Sequence, residues 1–241
     1  MERAVFDRME AIDSEHWWFV ARRRIVAGLV AAFAPNRPLR LLEVGAGTGS
    51  NLAMLQTFGA VDAIEPDEGA RAIAAARSGI AVGGGYLPGG VDLPDATYDV
   101  VLLLDVLEHV ENDLGALQLL RRKMAPGGRL ILTVPAAPWM WSGHDVAHHH
   151  HRRYTRAALE AVVRRAGLTP RHVTHYNTLL YPLVAAARIM GRMTGRTGGD
   201  DAMPAPLANR LLTAVFGAER LWTARLRMPF GVSLAMVAET A

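Results

Sequence analysis

Short apolar runs alternate with amphipathic stretches along this chain, and that rhythm predicts its elements. Strands are expected at 39–44, 61–65, 80–82, 98–104 and 129–134, where apolar residues run together or alternate. Between them apolar positions recur every three or four residues at 51–58, 68–77 and 113–124. These predict helices, the last with Asp113 as N-cap. Pro126-Gly127-Gly128 signals a turn before the fifth strand. The run Leu102-Leu103-Leu104 is apolar on both faces, as a central parallel strand should be. Strands separated by helices imply an α/β fold, a parallel sheet covered on both sides.

The two ends read differently. A helix is expected at 14–33, carrying His16, Trp17, Trp18, Arg22 and Arg23. Another is expected at 155–166, closed by Gly167, with a strand at 171–176. An apolar stretch at 179–193 is interrupted by Pro182, and a Gly/Asp-rich linker follows at 195–201. Leu207, Leu211, Val215, Trp222 and Leu226 then lie at helical spacings with Arg210, Arg220, Arg225 and Arg227 among them. A last strand is expected at 230–239. The implied organisation is an N-terminal helical cap (1–38), an α/β core (39–177), a helical insertion (178–228) and a final strand completing the core sheet (229–241).

Composition narrows the class. With 51% hydrophobic and 20% charged residues over 241 positions, the chain suits one globular domain with additions. The absence of cysteine excludes disulfides, cysteine-ligated zinc and thiol nucleophiles, and fits a reducing cytoplasm. Met1-Glu2-Arg3-Ala4 lacks the apolar core of a signal peptide, and the longest apolar run, 179–187, is too short to span a bilayer. A cytoplasmic location is therefore expected. The net charge of +3 hides an asymmetry. Residues 1–150 hold 13 Lys/Arg against 18 Asp/Glu, and residues 151–241 hold 13 Arg against 5 Asp/Glu. Such a basic tail could meet anionic lipid, an anionic substrate or nucleic acid; a solvated arginine-rich surface is the simpler reading.

The sharpest local signal is Leu41-Leu-Glu43-Val-Gly45-Ala46-Gly47-Thr-Gly49. A glycine turn between strand and helix lets a ligand touch backbone and aims free N–H groups at it. A nucleotide-like cofactor is expected there. Glu65 ends the second strand about 20 residues on, where an acid can hold ribose hydroxyls. That acid alone also fits NAD. The alternate glycines are spaced more tightly than the G-x-G-x-x-G of NAD turns, and the carboxylate of Glu43 would suit a ligand ammonium group.

These motifs resemble those of class I S-adenosylmethionine-dependent methyltransferases. The similarity covers roughly residues 39–135. It rests on Glu43 to Gly49, Glu65, Tyr98-Asp-Val-Val, Asp105-Val106-Leu-Glu-His109-Val and Ala125-Pro-Gly-Gly-Arg-Leu, in the family's order. The resemblance implies a Rossmann-like, seven-stranded, mostly parallel sheet of order 3-2-1-4-5-7-6 with strand seven antiparallel. It implies S-adenosyl-L-methionine as cofactor and S-adenosyl-L-homocysteine as product. Glu43, Gly45, Ala46, Gly47, Gly49, Glu65, Pro66, Asp105, Val106 and His109 would line the cofactor. Many relatives place an Asp after strand three to meet adenine. Here that turn reads Gly83-Gly-Gly-Tyr86-Leu87-Pro88, so backbone at Tyr86 and Leu87 would substitute. His16-Trp-Trp-Phe-Val-Ala-Arg22-Arg, with the stretch from Ser142 through four histidines to Arg152-Arg153-Tyr154-Thr, resembles a bacterial subgroup of type 11/12-like members.

The candidate chemistry follows strands four and five. Histidine is the natural base for an acceptor hydroxyl. The subgroup pattern points to His150 with Asp145, and His144 lies beside them. His109 is read as lining the site rather than as the base. In an extended segment, consecutive side chains of the run His148–His151 would face opposite ways. One functional histidine with exposed neighbours is therefore expected, and no metal, although Asp145 and Glu108 could contribute to one. Arg153 and Tyr154 could hold the acceptor, or Arg153 could anchor the loop. Trp17 and Trp18 project about 100° apart on a helix, so one would face the acceptor with Arg22 and the other the core.

The expected function is methyl transfer to a small-molecule hydroxyl. The apolar insertion is read first as a lid. Peripheral contact with the inner face of the membrane, with a lipid or lipid-linked sugar as acceptor, and a homodimer interface are the alternatives. An NAD-dependent oxidoreductase and a non-catalytic cofactor-binding protein are the competing classes. Nucleic acid is not expected as a partner, since no Asn-Pro-Pro-aromatic motif is present.

Overall fold

The structure, a computed structural model, describes residues 10–194 and 202–240. One seven-stranded sheet organises them, in the order β3-β2-β1-β4-β5-β7-β6. Strands β1 (Leu39–Val44), β2 (Gly59–Ile64), β3 (Val82–Gly83), β4 (Tyr98–Leu104) and β5 (Met124–Pro135) are parallel. Strand β7 (Ser233–Thr240) lies antiparallel between β5 and β6 (Leu168–Tyr176). The strand order reverses between β1 and β4, where Leu41 to Glu43 pair with Val100 to Leu102. Ligands of open α/β sheets bind outside the carboxyl ends of strands at such a switch point. Glu43 and Asp105 sit there.

Strand alternation divides the core into two layers. Leu42, Val44, Val101 and Leu103 face one way, onto Leu117 and Leu120 of α4 (Asp113–Lys123) and Leu159 and Val163 of α6 (Arg156–Arg165). Leu41, Ala63, Val100 and Leu102 face the other way. They meet Ile25 and Leu29 of α1 (Trp17–Phe33), Leu52 and Leu55 of α2 (Leu52–Gln56), and Ala74 of α3 (Glu68–Ser78). Phe216 of α8 (Pro206–Ala218) joins this second layer. Each fully buried leucine contributes roughly 1.5–3 kcal/mol.

Several boundaries differ from the sequence-based expectation. Strand β5 begins at Met124, not at 129, because Met124 already pairs with Tyr98. The expected Pro126-Gly127-Gly128 turn becomes a register shift within the ladder, with Gly127 at φ 71. The N-cap of α4 is Asn112, whose side chain accepts from Gly115 N–H; Asp113 is instead bonded by Arg152 and Tyr154. Helix α1 starts at Trp17 behind the N-cap His16 rather than at 14. Strand β3 is shorter and later than 80–82. Pro182 does not interrupt its helix. It lies in the first turn of α7 (Tyr181–Thr194), where no intrahelical donor is required of it.

The N-terminal helix and the insertion form one layer rather than two attachments. Trp17 packs edge-on against Phe216 at 5.7 Å, and its backbone N–H donates to Asn209 Oδ1 of α8 at 2.8 Å. Helix α7 keeps Leu183, Ile189 and Met190 exposed. No helix among the described residues is long and apolar enough to cross a membrane. The linker expected at 195–201 lies outside the described residues.

Candidate active site

The glycine turn after β1 takes its shape from close packing. Gly45, Gly47 and Gly49 all have positive φ, at 76°, 55° and 78°. A Cβ on Gly45 would lie 2.5 Å from Val106 Cγ2, and one on Gly49 would lie 2.8 Å from the Ala74 Cα. At Gly47 a Cβ would meet nothing within 4 Å. Two glycines therefore serve the fold, and the third opens onto free space. One expectation needs correcting. The turn does not present a row of free N–H groups, because Gly45 and Ala46 donate to Ile64 O, Gly49 to Ala46 O, and Gly47 to Glu65 Oε2 at 2.8 Å. The turn offers close approach more than donors, which suits a pyrophosphate poorly.

Two carboxylates flank it. Glu43 is buried, and its Oε1 accepts from Asn51 Nδ2 at 2.7 Å. Its Oε2 is buried with no hydrogen-bond partner. Burial pushes the Glu43 carboxyl up to about 7, against the opposing effects of Asn51 and Arg22. Glu65 is also buried, and its second oxygen accepts from Asp67 N–H at 3.0 Å. Pro66 beside it is exposed. The N-terminal segment closes over the turn, since buried Asp13 accepts from Thr48 Oγ1 at 2.6 Å and from Arg77 at 2.8 Å. Across the turn, Tyr86 is exposed, while Leu87 is half-buried against the first core layer.

A second group gathers at the end of β4. Asp105 has φ 56, which turns the chain sharply after the strand, and its carboxylate is bonded by Arg22. The Arg22 guanidinium lies 4.8 Å from the Trp18 ring centre, so Trp18, Arg22 and Asp105 form one line. Both Trp17 and Trp18 are half-buried against the second core layer; Trp18 carries the Arg22 contact and Trp17 the Phe216 contact. Burial is the largest single effect on Arg22 and works against its charge, but Asp105, Tyr176 and Glu43 together raise its pKa on balance. Arg22→Met should destabilise the protein by about 3 kcal/mol, because Asp105 would remain partly buried and unpaired beside Glu108. An unchanged urea midpoint would contradict this.

The loop after β5 brings the histidines together. Helix α5 (Gly143–Ala147) puts His144 and His148 one turn apart on one face, with ring centres 4.2 Å apart. His149 then adopts φ 55, and the reversed chain carries His150 back into the cluster. The run is therefore not extended, which corrects the alternation expected for it. His148 is buried, whereas His149 and His151 are exposed. His150 packs edge-on against His109 at 4.6 Å, and His151 N–H donates to Glu108 O at 2.8 Å, tying the loop to the turn after β4.

Asp145 organises this loop. It is fully buried, accepts from Arg153 Nε at 2.7 Å, and faces His150 Nδ1 at 2.9 Å. Burial raises its pKa, but the bonds from His150 and Arg153 win and hold it well below the usual carboxylate range. An ionised carboxylate cannot donate, so Nδ1 of His150 is the donor in this bond. Arg153 also donates to Ala136 O at 3.2 Å, and Tyr154 OH donates to Asp113 Oδ2 at 2.9 Å. Arg153 thus makes the loop-anchoring contacts that were the alternative for it, and Tyr154, expected near the acceptor, is buried with its hydroxyl on Asp113. Burial and the imidazoles of His150 and His148 push His109 down to about 3, so it is a weak base. Glu108 is buried, and burial with neighbouring Asp105 raises its pKa well up.

Comparison with known proteins decides the family. A family model described as a methyltransferase domain matches residues 18–173, well over half of the chain. The chain belongs to the class I S-adenosylmethionine-dependent methyltransferases. An uncharacterized methyltransferase from Mycolicibacterium gilvum is 30% identical over 154 residues, 63% of this chain. That match spans 59% of the relative's own length, less than two thirds of it. A SAM-dependent methyltransferase from Thermotoga maritima superposes with a TM-score of 0.61 over 100% of both chains at 17% identity. Phosphoethanolamine N-methyltransferase 2 from Haemonchus contortus, in complex with S-adenosyl-L-methionine, gives 0.59 over 90% of this chain and 52% of that one, at 14% identity. Such identities carry the fold and not the acceptor.

The methyltransferase domain fits its cofactor on two structural grounds. The orphaned Glu43 Oε2 can accept from an ammonium group, and the open space at Gly47 can admit a ligand against backbone. Asp13, Asn51 and Glu108 were not among the residues singled out from sequence for cofactor or acceptor. Asn51 carries a weak signal, lying two residues past the last glycine; Asp13 carries none, because its contact comes from a segment far along the chain.

Proposed function

We propose that this protein transfers the methyl group of S-adenosylmethionine to a hydroxyl of a small-molecule acceptor, with His150 activating that hydroxyl. The cofactor supplies a methyl group already made electrophilic by its sulfonium. What remains for the protein is to align the acceptor and handle its proton. Glu43 takes the amino group of the methionine moiety on its unpartnered oxygen. Glu65, with Pro66 beside it, takes the ribose, and backbone at Tyr86 and Leu87 takes adenine. Asp105, Val106 and His109 line the far wall.

The observation that carries the acceptor side is the Asp145–His150 pair at 2.9 Å. A buried carboxylate fixes the imidazole so that Nε2 can accept a proton as the hydroxyl oxygen attacks. Trp18 and Arg22 border the acceptor space, and His144 flanks the histidine pair. The test is a labelled-donor assay over hydroxyl-bearing acceptors with the product's methylated atom assigned by NMR. Label on oxygen is expected; label found only on nitrogen or carbon would refute the hydroxyl assignment.

Glu43 adds a pH signature. Its folded value of about 7 means that the empty site is largely protonated below neutrality. An ammonium group pairs with the ionised form, so binding expels that proton. S-adenosylhomocysteine affinity should therefore rise with pH up to about 7, by as much as about tenfold per unit, and then level off. Glu43→Gln should flatten the profile. The stability contribution of Glu43 in the free protein runs the opposite way: it is present below the ordinary carboxyl value of 4.5 and lost as pH climbs through about 7. A flat wild-type affinity profile would remove Glu43 from the ammonium site.

A further inference from the structure

We infer that Glu108, His109 and His150 form a binding site for a divalent transition-metal ion, placed between the cofactor pocket and the acceptor. A carboxylate oxygen of Glu108 and one ring nitrogen from each histidine all lie within 4.8 Å of one another. Ligands on one ion at about 2.0–2.2 Å stand roughly 3.3 Å apart, so closing the set asks each atom to move by about 1 Å or less. Rotation about side-chain torsions supplies that without moving backbone.

Three further features make the cluster a built site rather than a chance meeting of polar groups. Glu108 is 1% exposed, and its Oε2 has no hydrogen-bond partner, an arrangement that costs folding free energy unless something else satisfies the oxygen. His150 has its Nδ1 on the Asp145 carboxylate at 2.9 Å, which leaves Nε2 for the cluster. His109 has a ring nitrogen on the backbone carbonyl of His148. Metal-binding histidines are oriented in this way, one nitrogen on a carboxylate or carbonyl and the other on the ion. The two segments are joined by His151 N–H on Glu108 O, and His150 N–H on Asp145 O closes the loop's own turn.

Two imidazoles and one carboxylate select a borderline ion such as Zn²⁺, Fe²⁺ or Co²⁺ over Mg²⁺ or Ca²⁺, which prefer all-oxygen sets. Three protein ligands leave coordination positions open, and an acceptor hydroxyl is the natural group to fill one. The inference rests on the hydroxyl reading above and deepens it. With the ion present, His150 acts as a ligand, and the hydroxyl loses its proton to water because the cation makes it more acidic. The oxygen lone pair then forms the C–O bond to the methyl group. The C–S bonding pair returns to sulfur, which becomes the neutral thioether of S-adenosylhomocysteine.

The test is a titration of the chelator-stripped full chain with Zn²⁺, and separately with Co²⁺ followed by its visible absorption, with no acceptor present. One ion per chain is expected. Glu108→Gln, His109→Ala and His150→Ala should each weaken binding by about 100-fold or more, and Asp145→Asn by about 10- to 100-fold. His149→Ala and His151→Ala, which change exposed histidines of the same loop, should leave it unaltered. A native circular-dichroism spectrum and a cooperative melt certify that each variant is folded. Absence of binding, or binding that follows His149 and His151, overturns the site. The two readings fail separately: oxygen methylation that survives chelation at full rate removes the metal and keeps the function, whereas a bound ion without oxygen methylation does the reverse.

Discussion

Gly47→Leu is expected to abolish binding of S-adenosylhomocysteine while leaving the protein folded. Of the turn's three glycines, only the middle one has no protein atom within 4 Å of an added Cβ. Its φ of +55 costs a non-glycine residue about 1–2 kcal/mol, which a domain stable by about 5–15 kcal/mol tolerates. The new side chain would occupy the space that the ligand needs beside the backbone. The flanking glycines would not give so clean a result. Substituting Gly45 drives a Cβ into Val106, and substituting Gly49 drives one into the backbone of Ala74, so both damage the fold itself. Calorimetric titration with a circular-dichroism control checks the prediction. Micromolar affinity retained by a folded Gly47→Leu protein would show that this turn does not hold the cofactor.

The second large effect is kinetic. His150→Ala should lower kcat by about 10²- to 10⁴-fold and change S-adenosylhomocysteine affinity only a few fold. Either route of activation, proton acceptance by Nε2 or ligation of a cation, requires this imidazole. Neither requires it for the cofactor, since Glu43 lies on β1 and Glu65 just after β2, away from this loop. Asp145 is a poorer probe. It holds both His150 and Arg153, and Arg153 anchors the loop to Ala136, so its loss disturbs position as well as chemistry. An unchanged single-turnover rate in His150→Ala would exclude His150 from the mechanism.

The parallel α/β sheet was legible because it writes itself as alternating apolar runs and amphipathic helices, whereas the strand order and the antiparallel seventh strand came only from the family resemblance. The glycine turn was legible for a related reason: three positive φ values need three residues without Cβ. What sequence could not give was partnership. The resemblance placed Asp105 beside the cofactor and Arg22 beside the acceptor, but nothing in spacing reveals that they pair across 83 positions. Glu43 stood out as a carboxylate before the turn, yet its partner Asn51 is defined only once the turn closes. The histidine run misled in one respect. Four identical residues carry no period, so the choice between extended and helical backbone fell to alternation. Helix α5 and the positive φ of His149 converge His144, His148 and His150 instead. Arg153 and Tyr154 show the same limit, since a buried anchor and an acceptor contact call for the same residue types.

The central claim is that the turn after β1 is a cradle for a sulfonium nucleoside amino acid. The most direct measurement is a pair of calorimetric titrations of the wild-type protein, one with S-adenosylhomocysteine and one with NAD. Saturable binding of one S-adenosylhomocysteine per chain is expected, with no heat from NAD. Saturable binding of NAD, with none of S-adenosylhomocysteine, would contradict it.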